Sequence, residues 1–91
     1  MADKAFYARV SGRVQGVGFR YSARQEAQRL KLTGWVRNAA NGDVEVWAEG
    51  PTENLSLFLA WLYQGPRSSR VDSVKREDQI PKGYGDFAVT R

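Results

Sequence analysis

The sequence predicts an α+β fold: two helices on one face of a mostly antiparallel sheet of four to five strands. Three observations lead there. Segments with strand-like and helix-like hydrophobic spacing follow one another in the order strand, helix, strand, strand, helix, strand, with room for a short extra strand at the end. Asn41-Gly42 marks a tight connection between the two middle strands. Gly50-Pro51 and Gly65-Pro66 bracket the second helix.

Taken in order, Phe6, Ala8, Val10, Gly12 and Val14 alternate with Tyr7, Arg9, Ser11 and Arg13, the period of a half-buried strand. A glycine-containing loop begins at Gln15. Between Tyr21 and Lys31 the apolar residues Ala23, Ala27 and Leu30 recur at i, i+4 and i+7, the stripe of an amphipathic helix, with Gly34 placed after its end. Trp35–Asn38 and Val44–Glu49 form the next two strands. Asn41 and Gly42 join them as a hairpin because both tolerate positive φ. After Gly50-Pro51-Thr52, the spacing of Leu55, Phe58, Leu59 and Leu62 predicts a helix over Glu53–Tyr63, which Pro66 stops. Arg70–Glu77 is a weaker strand, with only Val71 and Val74 strongly apolar. Gln79–Gly85 reads as a loop, and Phe87 and Val89 as a short last strand.

This order is that of a ferredoxin-like split β-α-β sandwich, expected as a single domain over residues 1–91. In it the first two strands run parallel with the third inserted between them. Gln15–Arg20, leaving the first strand, and Asn38, ending the second, then share one end of the sheet. Their strands lie roughly 10 Å apart, two strand spacings.

Composition removes much chemistry. Among 91 residues there is no His and no Cys, which excludes imidazole acid–base work, thiol nucleophiles, disulfide frameworks and thiolate metal sites. Residues 1–38 hold eight basic and two acidic side chains, whereas residues 39–91 hold six basic and eight acidic. An anionic partner is therefore expected at the N-terminal half. No apolar run approaches the ~20 residues of a spanning helix, and Met1–Asp3 lacks a signal-peptide core, so a cytoplasmic protein without membrane association is expected. The scattered carboxylates, Asp43 and Glu45 included, form no hard-metal cluster, and neither metal nor cofactor is expected. Trp35, Trp47 and Trp61 fall in unrelated elements with no interleaved basic track, so nucleic acid is not expected either. Lys75-Arg76, followed at once by Glu77-Asp78, reads as a solvated strand edge.

The segment Gln15-Gly16-Val17-Gly18-Phe19-Arg20 carries the most information. Gly16 and Gly18 permit a backbone that turns successive N–H groups inward as an anion nest. The helix start that follows adds free donors, and Arg20 adds a planar guanidinium suited to bidentate phosphate binding. An ordinary strand-to-helix turn with a surface arginine fits the same residues. A dinucleotide fingerprint would need glycine at Tyr21, and no Gly-Lys-Ser/Thr exists for a Walker A loop. Asn38 equally fits a polar hairpin start or a functional amide, which holds a water by donating and accepting without titrating.

Gly12-Arg13-Val14-Gln15-Gly16-Val17-Gly18-Phe19-Arg20 and Gly34-Trp35-Val36-Arg37-Asn38, followed by Gly42-Asp43-Val44-Glu45, resemble the two signature segments of the acylphosphatase family. The resemblance extends over essentially the full chain. It implies a metal-free hydrolase cleaving the carboxyl–phosphate bond of acyl phosphates and releasing inorganic phosphate, with nothing demanding more than a monomer. It further implies that Arg20 and the backbone N–H groups of Gln15, Gly16, Val17, Gly18, Phe19 and Arg20 bind the phosphoryl group, and that Asn38 positions the attacking water. Where the family often has Thr directly after this Asn, the chain has Ala39. Two other readings stay open on sequence: a non-catalytic anion-binding module on the same fold, and nucleic-acid binding driven by basic charge.

Overall fold

In the computed structural model, which describes residues 3–91, the elements run β1 (Lys4–Arg13), α1 (Phe19–Arg29), β2 (Thr33–Asn38), β3 (Val44–Gly50), α2 (Thr52–Gln64), β4 (Arg70–Gln79) and β5 (Phe87–Val89). The expectation drawn from Met1–Asp3 lies, for residues 1 and 2, outside the described residues. No helix among the described residues is long and apolar enough to cross a membrane.

The sheet order is β4-β1-β3-β2-β5. β3 is antiparallel to both β1 and β2, so those two strands run parallel with β3 between them, as the ferredoxin-like order requires. β4 adds antiparallel to the free side of β1, and β5 adds parallel to β2. The alternation read in the sequence becomes one buried face: Phe6, Ala8, Val10, Val36, Val44, Val46 and Ala48 meet Ala23 and Ala27 of α1 and Leu55, Phe58 and Leu62 of α2 in a continuous core. β4 stands at the sheet edge, and its run Lys75–Asp78 is exposed, which disfavours pairing with another strand.

Several boundaries differ from the sequence expectation, each for a physical reason. α1 begins at Phe19 instead of Tyr21, because the buried Phe19 ring packs against Trp61 and draws the first turn into the core. It ends before Gly34. The left-handed residue that terminates it is Lys31 (φ 58°), whose N–H reaches the Gln28 carbonyl while that of Leu32 reaches Ala27, the paired bonds of a Schellman cap. Gly34 belongs to β2, where a Cβ would run into the Trp47 carbonyl oxygen of the paired strand. Asn41 does not take positive φ; only Gly42 of that pair does. Asn41 shapes the turn through its side chain, whose Oδ1 accepts the Asp43 N–H at 3.1 Å.

Among the described residues, Glu49 is the only buried charged side chain, 4% exposed, on the face of the sheet away from the helices. Its carboxylate accepts from the Trp47 indole at 2.8 Å and from the backbone N–H groups of Lys82 (2.6 Å), Gly83 (3.0 Å) and Tyr84 (3.3 Å). It thereby clasps the segment leading into β5. Burial pushes this carboxyl up, but the N–H donors outweigh burial, so it lies below the usual glutamate range. A depressed carboxyl stabilises the fold above the unfolded-state value near ~4.3 and loses that contribution as pH falls through the folded value. Glu49→Gln is expected to cost about 1.5–3 kcal/mol at neutral pH in urea denaturation. The gap between variant and parent should close as pH drops below ~4; an unchanged gap would contradict the clasp.

Candidate active site

The loop between β1 and α1 begins where β1 stops alternating. Gly16 (φ 74°) and Gly18 (φ 78°) both adopt the left-handed backbone, with Val17 between them. Nothing lies within 4 Å of where a Cβ would stand on either residue, so backbone conformation alone calls for glycine here. Gly18 is the N-cap of α1 and offers no side chain to its first turn, which also contains no acidic residue. Among the described residues, no protein acceptor takes the N–H groups of Gly16 through Arg20. The donors therefore stand open at the positive end of α1.

Two side chains fix this loop. The Gln15 carboxamide donates from Nε2 to the Ala39 and Asp43 carbonyl oxygens, each at 2.8 Å. On the other flank, Ser68 Oγ donates to the Val17 carbonyl at 2.7 Å. Because a trans peptide places its C=O and N–H on opposite sides, this bond turns the Gly18 N–H away from Ser68.

Asn38 closes β2 opposite Val44, which on its other side faces Val10 of β1. The loop and Asn38 thus lie at the same end of the sheet, as the topology predicts. The Gln15 bond to Ala39 ties the loop directly to the residue after Asn38. Asn38 is half-buried, and its Oδ1 is sequestered without any hydrogen-bond partner. A buried acceptor left open costs free energy, and such atoms concentrate where a water or ligand completes them.

The cations at this end are not equivalent. Arg9 Nε donates to Asp43 at 3.0 Å and Arg37 Nε to Glu45 at 2.9 Å, so both are neutralised. For Asp43, burial pushes the carboxyl up, while hydrogen bonds from Ser11 and Asn41 and the Arg9 charge bring it below its ordinary value. The Tyr7 hydroxyl, aided by Arg37, holds Glu45 low as well. Arg20, in the first turn of α1, forms no ion pair among the described residues.

Sequence reasoning missed the side-chain work of Gln15 and Ser68, which depends on contacts 24 to 51 residues apart in the chain. It also separated Trp35 from Trp47, which are cross-strand partners with ring centroids 6.5 Å apart. Arg37 lies 4.7 Å over the Trp35 ring and Lys82 4.6 Å over Trp47, so basic groups do accompany these two rings. Their neighbours Glu45 and Glu49 offset that charge. Trp61 is elsewhere, packed on Phe19 and Phe58. A cleft of about 390 Å³ between the start of β1, the end of β4 and α2 lies at the opposite end of β1 and contains none of the candidate residues.

The chain resembles known proteins over nearly its full length. The family model described as acylphosphatase matches residues 6–89. An acylphosphatase of Pseudomonas paraeruginosa is 50% identical over 91 residues, all of both chains. Among solved structures, an acylphosphatase from Coxiella burnetii superposes with a TM-score of 0.94 at 40% identity, covering 98% of this chain and 94% of that one. An acylphosphatase from Bacillus subtilis gives the same score at 37% identity, with coverage of 97% and 99%.

The left-handed backbone at Gly18 generates a stability prediction. With open space around it, Gly18→Ala should cost about 1–2 kcal/mol through conformation alone, measured by urea denaturation. Unchanged stability would mean that the loop does not hold this backbone in solution.

Proposed function

The chain belongs to the acylphosphatase family, and from that premise we propose that it hydrolyses the carboxyl–phosphate bond of small acyl phosphates by direct attack of water. The observation that carries this reading is the pairing of a loop of open N–H donors with an orphaned buried acceptor, Asn38 Oδ1, at one end of the sheet.

In this reading the phosphoryl oxygens rest on the backbone N–H groups of Gln15–Arg20, and Arg20 donates two parallel hydrogen bonds from its guanidinium. Asn38 Oδ1 accepts one O–H of the attacking water and aims its lone pair at phosphorus, opposite the leaving carboxylate. As the P–O bond to the carboxylate lengthens, charge on the equatorial oxygens meets donors already in place. The water's second proton passes to a phosphoryl oxygen. The products are a carboxylate and inorganic phosphate, with no covalent phosphoenzyme.

The leaving group explains why this residue set suffices. A carboxylate departs without strong general-acid help, so a site without His or Cys suits an acyl phosphate better than an alkyl phosphate ester. In this reading the reaction is metal-independent. The reading is of a monomeric, cytoplasmic, single-domain enzyme that uses no cofactor and engages neither nucleic acid nor membrane.

Steady-state hydrolysis of benzoyl phosphate in the presence of EDTA tests the proposal. Turnover by the parent should survive chelation. Arg20→Ala should lower kcat/KM by at least ~10²–10³-fold. Asn38→Ala should act chiefly on kcat, with inhibition by inorganic phosphate retained. Near-parent rates in both variants would remove these assignments, and phosphate binding without turnover in the parent would make the chain an anion-binding module.

A further inference from the structure

We propose that the Gln15 carboxamide is a positioning residue that sets the gap between the phosphate loop and the water held by Asn38. The inference rests on the hydrolytic reading above and adds a role for a side chain where that reading uses only backbone. Gln15 is the first residue of the loop, yet its amide leaves the loop altogether. Its Nε2 bonds to Ala39 O and Asp43 O, the two carbonyls that frame the β2–β3 turn directly after Asn38. A primary amide nitrogen has two hydrogens, and both are used.

The receiving turn is already closed by itself. The Ala39 N–H donates to Asp43 O at 2.8 Å, and the Gly42 N–H donates to Ala39 O at 3.3 Å. The Asp43 side chain is fixed by Arg9 and Asn41. Gln15 therefore docks onto a rigid acceptor pair and does not build it. Because each carbonyl keeps a second donor, removing the carboxamide orphans neither, and the fold should survive its loss. What is lost is the register between the two halves of the site. The Gln15 contacts with the β2–β3 turn also run through the backbone carbonyls of Ala39 and Asp43, so they work without a hydroxyl at position 39.

Register of this kind acts on the chemical step more than on binding. Inorganic phosphate needs only the loop and Arg20, whereas turnover also needs the Asn38 water in line with phosphorus. Misplacement by an ångström can cost about 10²-fold in rate.

The test uses Gln15→Met, close in length but without donors, in the parent and in an Asn38→Ala background. Gln15→Asn, which keeps the donors but is one methylene too short to reach both carbonyls, serves as a second variant. Both single variants should keep a cooperative urea transition. Each should lower kcat on benzoyl phosphate by about 10-fold or more, with inhibition by inorganic phosphate changed less than about threefold. In the Asn38→Ala background, Gln15→Met should change kcat by less than about twofold, because no positioned water remains to be displaced. An unchanged kcat in both single variants overturns the proposal. So does an equal loss in both backgrounds, which would be a loop effect independent of Asn38. A parent protein without turnover overturns the hydrolytic reading itself, a different result from active parent protein with unaffected Gln15 variants.

Discussion

Because β3 runs antiparallel between β1 and β2, the two strands that carry the candidate site finish at the same edge of the sheet, with Val10 and Asn38 both facing Val44 across the central strand. The juxtaposition that the proposed function uses depends on that insertion. Were β1 and β2 themselves an antiparallel pair, the glycine loop and Asn38 would stand at opposite ends. The inserted strand also fixes their spacing at two strand widths, a gap suited to a phosphoryl group and a water. The core that holds β3 in place is apolar on the helix side, while Glu49 fastens it on the other to the segment leading into β5.

Within that frame, the candidate site gathers groups the fold leaves unsatisfied. The N–H groups of Gly16–Arg20 have no protein acceptor, Asn38 Oδ1 has no donor, and Arg20 has no carboxylate partner among the described residues. Nearby groups of the same kinds are fully paired: Arg9 with Asp43, Arg37 with Glu45. The contrast separates the cations paired within the hairpin from Arg20, which the proposed function assigns to the phosphoryl group. Of the eight basic side chains in residues 1–38, Arg9, Arg29 and Arg37 are paired with carboxylates within the fold.

Much of this was legible in the sequence because it depends on local rules. Period-2 alternation located β1 and β3, and helical spacing located α2 within a residue at each end. Gly16 and Gly18 announced their left-handed backbone, since few other residues adopt it. What local rules miss is governed by distant partners. The early start of α1 depends on Phe19 meeting Trp61, and Gly34 serves close approach to Trp47 in place of helix termination. The Trp35–Trp47 pair depends on strand register, and the anchoring roles of Gln15 and Ser68 depend on tertiary contacts. No periodicity encodes any of these.

The central claim is that loop and hairpin together form one phosphoryl site. Titration of the ¹⁵N-labelled protein with inorganic phosphate in EDTA, followed by two-dimensional NMR, tests it most directly. The account predicts saturable shifts concentrated in the backbone amides of Gly16–Arg20 and in the Asn38 carboxamide. Shifts centred instead on Lys4, Arg76 and the start of α2, around the cleft at the opposite end of β1, or no saturable response at all, would contradict it.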